Sequence, residues 1–186
     1  MAFVIEGEQQ ISAPLETVWA ALNDPEVLKA CIPGCQSLEM SSPTEMAAKV
    51  MLKIGPIKAT FGGEVTLSNI NPPRSYKIAG EGKGGPAGFA KGHADVNLAE
   101  SDGGTLLTYA ATADIGGKIA QLGSRLIYST AKTLADQFFS AFNREVSARM
   151  GGNDTTEEAE GIDAPVPETQ PKPGVWKRLV NSFRED

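Results

Sequence analysis

Apolar and polar side chains alternate at the start of the chain: Phe3, Ile5 and Ile11 share one parity, and Glu6, Glu8 and Gln10 take the other. A period of two is the signature of a strand with one buried face. The period then lengthens. In ISAPLETVWAALN, Leu15, Val18, Trp19 and Leu22 recur at helical spacing, with Ser12 expected as the N-cap and Pro14 in the first turn. Asp24-Pro25 begins a second short helix, an N-cap followed by a first-position proline, which runs through Val27 and Leu28 and stops before Pro33-Gly34.

From Ser37 to Asp114 the pattern returns to strands. Ala48, Val50, Leu52 and Ile54 alternate with Lys49, Met51 and Lys53. Ile57, Ala59, Phe61, Val65 and Leu67 alternate with Lys58, Thr60, Glu64 and Thr66. Tyr76 and Ile78, then Ala94, Val96 and Leu98, then Leu107, Tyr109 and Ala111 supply further strands, separated by Gly/Pro/Asn/Asp turns such as Gly55-Pro56 and Asn71-Pro72-Pro73. Short connections and one apolar face per strand predict an antiparallel sheet covered on one side. The cover comes last. From Lys118 to about Met150, the residues Ile119, Leu122, Leu126, Leu134, Phe138, Phe142 and Val146 fall on one helical stripe. Such a helix would be roughly 45–50 Å long, enough to cross a sheet.

The predicted fold is α+β. Two short helices follow strand 1, and a curved antiparallel sheet then wraps around a long C-terminal helix in a helix-grip arrangement. Many inward positions are small: Ala48, Ala59, Gly63, Ala94 and Ala111 on the strands, and Gly123, Ala131, Ala135 and Ala141 on the helix. Small residues on both walls either draw the elements together or leave a hole, and the sequence alone does not separate these. The expectation is a cavity between sheet and helix. The larger side chains assigned to it are Trp19, Ile32, Val50, Phe61, Tyr76, Phe89, Tyr109, Leu122, Leu126 and Phe138.

Charge divides the chain. Of 186 residues, 41% are apolar and 22% charged, an ordinary globular composition, and the net charge of −6 argues against a nucleic-acid partner. Residues 1–150 are close to balanced, whereas 151–171 carry six acids and no base. That stretch, with prolines and few large apolar side chains, reads as an acidic disordered linker. It leads to an amphipathic C-terminal tail, 172–186. MAFVIEGEQQ has neither a basic n-region nor an apolar h-region, so no secretory leader is expected there. No apolar run approaches the ~20 residues of a spanning helix.

Candidate chemistry is sparse. The one histidine, His93, has the parity of Lys91, Asp95 and Asn97, which points it outward and removes it from any triad in the cavity. The only cysteines lie in CIPGC, with three residues between them and no second pair, so a zinc site lacks ligands and a redox motif has the wrong spacing. GEGKGGPAGFAKG does not lead from a strand into a helix N-terminus, so it is a hairpin rather than a phosphate loop. Neither catalytic nor metal-binding residues are assigned. Tyr76 or Tyr109 could still bind or polarise a ligand, but an enzyme is disfavoured.

LNDPEVLKACIPGC, GEGKGGPAGFAKGHADVNL, LLTYAATADIGGKIAQLGSRLI and STAKTLADQFFSAF together resemble the carbon monoxide dehydrogenase G-subunit family, within the START/Bet v 1-like (SRPBCC) superfamily, over about residues 1–150. The resemblance implies a helix-grip domain with a lipophilic cavity, no catalysis, and an accessory role beside a molybdenum-containing dehydrogenase, linking that enzyme to the membrane.

The tail is read separately. In PGVWKRLVNSFRED, Trp176, Leu179, Val180 and Phe183 share one helical face, while Lys177 and Arg178 lie elsewhere around it. Aromatic residues flanked by bases suit an interfacial membrane segment, or alternatively a groove on a protein. The leading expectation is a non-enzymatic helper at the cytoplasmic face of the inner membrane. Its cavity would hold a lipophilic molecule, a quinone being the natural guess, with no covalent cofactor. The alternatives are a ligand-free adaptor for the dehydrogenase and a generic carrier of hydrophobic ligands. CIPGC becomes a candidate gate, with Cys31 and Ile32 at a cavity entrance.

Overall fold

The computed structural model of the protein describes residues 1–151. The expected linker and the expected tail contacts Trp176, Lys177, Arg178, Leu179, Val180 and Phe183 lie outside the described residues.

Strand β1 (Ala2–Ile11) leads into helices α1 (Leu15–Leu22) and α2 (Pro25–Cys31). A meander follows: β2 (Cys35–Ser42), β3 (Glu45–Ile54), β4 (Ile57–Asn71), β5 (Ser75–Lys83), β6 (Phe89–Ser101) and β7 (Gly104–Gly116). Helix α3 (Ser124–Gly151) ends the described chain. The seven strands form one sheet in the order β1-β7-β6-β5-β4-β3-β2, each pair antiparallel. Helix α3 touches β1 at one edge and β3 near the other, which requires the sheet to curve around it. The α+β helix-grip reading therefore holds.

Local chemistry explains the helix ends, with two departures from expectation. Asp24 caps α2 as its sequence predicts, accepting from the Glu26 and Val27 amides at 2.9 and 3.4 Å, with Pro25 opening the helix. Arg149, on the last turn of α3, donates to the other oxygen of the same carboxylate at 2.7 Å, tying the two helices together. The first departure is Ser12, which caps nothing. The extended residue before α1 is Pro14, which has no side-chain cap bond, and the chain reaches it through a tight turn in which Ala13 N donates to Ile11 O.

The second departure is the start of the long helix. Lys118–Leu122 is a separate 3-10 turn, and Gly123 breaks the path with a φ of +88° before α3 begins at Ser124. Its 28 residues span about 42 Å, slightly less than expected. Within α3 the buried stripe starts at Ile127 and continues through Phe139, Phe142 and Val146.

The core is divided. One cluster joins α1, α2 and the distal half of α3 to the sheet through Val18, Val27, Tyr76, Leu107 and Phe142. A second, smaller cluster contains Phe61, Ala87, Ile115, Ile119 and Ile127. His93 is exposed on the outer face of β6, as its parity predicts.

Candidate ligand-binding site

Strand register explains why the core splits. Reading inward-facing residues across the sheet from β2 to β7, one row is Leu38, Ala48, Gly63, Gly82, Ala90 and Ile115. The next is Met46, Val65, Gly80, Gly92 and Ala113, and the one after it is Leu67, Ile78, Ala94 and Ala111. A diagonal band of alanine and glycine thus crosses the middle of the floor, with bulky residues at either end. Above it α3 presents Thr130, Ala131 and Leu134. Backbones cannot approach to fill the band, because the strands are held by their ladders and the helix by its own bulky ends. The space remains open.

Two apolar cavities occupy it. The larger, about 440 Å³, lies between β3–β6, the 3-10 turn and the first half of α3. The second, about 320 Å³, lies under α2 and the Phe138-Phe139 turn of α3. They share Ile32, Ala48 and Val65 as walls, so they adjoin. Both volumes fall in the range typical of ligand pockets, roughly 300–1,000 Å³. A groove between the Pro33-Gly34 turn, β3 and α3 shares Pro33, Leu52, Thr130 and Leu134 with the larger cavity, and forms its mouth.

The ten residues assigned from sequence divide into two groups. Ile32 lines both cavities, Val50 and Phe61 line the larger, and Tyr76, Tyr109 and Phe138 line the smaller. The other four do not line either. Trp19 sits behind the wall, edge-on to Tyr76 with ring centroids 5.5 Å apart. Phe89 is on the outer face, 41% exposed, because it shares the parity of Lys91 and His93. Leu122 and Leu126 pack against the β3–β4 turn at Gly55: Leu122 belongs to the 3-10 turn before the break, and Leu126 lies to one side of the inward stripe because steps of four residues drift about 40° each around a helix. Ile127, one residue on, takes the inward place. Cys31 is also corrected: it is buried in the main core rather than at an entrance, and Cys35 is half-buried at the start of β2.

The model of the carbon monoxide dehydrogenase G-subunit (CoxG) family matches residues 7–147. The chain belongs to this family. No curated protein matches this chain. Among solved structures it is similar to a conserved protein from Geobacillus kaustophilus, at 33% identity and a TM-score of 0.74, covering 78% of this chain and 96% of that one. Its fold is also similar to Ara h 8.0201 (16% identity, TM-score 0.58, covering 80% and 99%). A third likeness is the Zhui aromatase/cyclase from Streptomyces (15% identity, TM-score 0.57, covering 81% and 96%). These likenesses place the chain in the START/Bet v 1-like fold class.

Few polar groups reach the cavity walls of this CoxG domain. Burial pushes the Tyr76 phenol far above its ordinary value, and Tyr109 is raised by burial, with Asp136 and Tyr128 adding to the effect. Both are therefore neutral at physiological pH, able to donate or accept one hydrogen bond but not to act as bases. Tyr109 stacks on Phe139 at 5.5 Å, which fixes its ring. Glu64 and Glu81 border the larger cavity, but their side chains are exposed on the opposite face of the sheet. The site can enclose an apolar body and offer a polar atom two phenols. Among the described residues no cluster of His, Cys, Asp and Glu could hold a metal ion, and no helix is long and apolar enough to cross a membrane.

Proposed function

We propose that this CoxG-family protein is a non-enzymatic accessory protein that holds a lipophilic molecule in its paired cavities and serves a molybdenum-containing, carbon monoxide-type dehydrogenase at the membrane. The observation that carries the reading is the apolar cavity pair, whose floor is built from small residues along a fixed register. An elongated ligand with a polar head suits two adjoining chambers, one of which has the phenols of Tyr76 and Tyr109 on its wall. A quinone has that shape and polarity, with ring oxygens that accept hydrogen bonds and an apolar tail. A dehydrogenase that feeds a respiratory chain must deliver electrons to such a carrier, and the family's description supports the dehydrogenase partner. The tail, with Trp176 and Phe183 beside Lys177 and Arg178, supplies the tether to the cytoplasmic membrane face in this reading.

Organic extraction of the purified protein followed by mass spectrometry, and titration of stripped protein with a ubiquinone or menaquinone, test it together. A co-purifying isoprenoid and saturable uptake are expected. Absence of both overturns the carrier.

A further inference from the structure

Three turns meet at one end of the sheet. The β3–β4 turn at Gly55 lies against Leu122 and Leu126, and the 3-10 turn Gly85–Ala87 touches Lys118–Leu122. The chain there comprises residues 49–62, 83–89 and 116–128. These segments contain six bases, Lys49, Lys53, Lys58, Lys83, Lys118 and Arg125, and no acid. The rest of residues 1–150 has seven bases and fifteen acids. A nearly balanced domain is thus strongly polarised, and its own field orients it.

The cations of this end are poorly matched within the protein. Among the described residues only Lys83 has an ion-pair partner, Glu81 at 3.3 Å. Lys53 and Lys58 stand directly opposite each other across the hairpin, an arrangement that is unfavourable unless an anion lies between or above them. Three large apolar side chains are exposed beside these bases: Met51 (39%), Phe89 (41%) and Tyr128 (46%).

We infer that this end docks on an anionic lipid surface. The bases sit on three separate turns and are not drawn by hydrogen bonds into a cradle, so they suit an array of headgroups rather than one phosphate. Phe89 next to the Lys83 strand, and Tyr128 one helical turn from Arg125, provide the amphipathic anchors an interface favours. The larger cavity lies beneath this end, walled by Ile54, Phe61, Ile119 and Ile127. The groove that forms its mouth runs past Met51 and Lys53, so docking would bring that mouth toward the bilayer, independently of the tail. The docking itself does not depend on what the cavity holds.

Co-sedimentation of the full chain with vesicles of phosphatidylcholine, with and without phosphatidylglycerol, tests the surface. Lys53→Gln/Lys58→Gln should weaken partitioning onto the anionic vesicles roughly tenfold or more, and added salt should erase the difference. The matched pair Arg74→Gln/Arg144→Gln, on the β4–β5 turn and the distal part of α3, should leave it near wild type. Phe89→Ala should lower the part of binding that survives salt. Repeating both pairs with Trp176→Glu/Phe183→Glu removes the tail's share, and the loss at Lys53 and Lys58 should persist. Circular dichroism melts confirm that each variant is folded. Partitioning that is identical for Lys53→Gln/Lys58→Gln and wild type overturns the docking surface. So does a wild-type chain that ignores anionic lipid, which would favour an acidic protein as the partner.

Discussion

Ala48→Ile puts the cavity to a quantitative test, because Ala48 lies on the wall shared by both chambers. Its row neighbours are Leu38 on one side and Gly63, with no side chain, on the other. Isoleucine adds three carbons and is favoured in strands. Burying them at about 0.8 kcal/mol each would stabilise the fold by at most about 2.4 kcal/mol. Ordering the side chain removes about 0.5–1 kcal/mol of this. The expected net gain is about 1.5 kcal/mol, or a rise in Tm of about 3–6 °C for a domain of this size. If the space were already filled, the same three carbons would overpack it and cost about 1–3 kcal/mol. The two pictures differ in sign.

Thermal melts of ligand-stripped protein read the first quantity, and titration with a lipophilic fluorescent dye reads the second. The variant should melt higher and bind the dye at least about tenfold more weakly, since the added side chain takes volume a ligand would need. A lower Tm would show that sheet and helix close over the small-residue band. A higher Tm with unchanged dye binding would place the ligand site elsewhere.

Three further outcomes follow from the local geometry. Asp24→Ala should cost about 1 kcal/mol from the lost cap of α2, and the exposed Arg149 contact should add a smaller amount. Arg149 holds the Asp24 carboxyl below its usual range, so this stability is present above pH about 4 and lost as pH falls through the lower folded value. Urea titrations at stepped pH should therefore show wild type and variant converging in acid. Gly34→Ala should destabilise by about 1–3 kcal/mol, because its φ is +74° and a Cβ there would strike the Met51 carbonyl; a variant as stable as wild type would refute the pinned turn. Burial pushes the Cys31 thiol up to about 11, so the native protein should be alkylated at Cys35 first, with the two equal only after denaturation.

Periodicity carries most of the fold. Parity alone assigns the inner faces of β3, β4 and β6, because each of these strands has one face on the helix and the other in water. It also holds the answer for Phe89, which shares the parity of Lys91 and His93. The bulk of that side chain suggests a cavity wall, but strand position decides where it points. The helix start departs from expectation for a different reason. A stripe read from Lys118 assumes one unbroken helix, which the positive φ at Gly123 interrupts, and within α3 steps of four residues drift about 40° each around the axis, so Leu126 falls beside the inward stripe and Ile127 on it. Trp19 is not resolvable from the chain, since a helical stripe marks burial and not whether the neighbour is a side chain or a void.

What the chain does not show is the row that makes the cavity. Gly63, Gly82 and Ala90 are far apart in sequence, and they align only because the turns at 72–74 and 84–88 set the register of β5 against β4 and β6. That alignment separates the two halves of the core, and the separation has an energetic meaning. The cluster around Phe142 ties α1, α2 and α3 to the sheet without any contribution from the band. Truncating Phe142 should therefore cost about 3–5 kcal/mol, as usual for a buried aromatic and a large part of the roughly 5–15 kcal/mol that holds a domain folded, read as a lower urea midpoint. Changes within the band should move occupancy and leave folding nearly intact. A domain built this way can keep an unfilled interior because its stability does not depend on filling it.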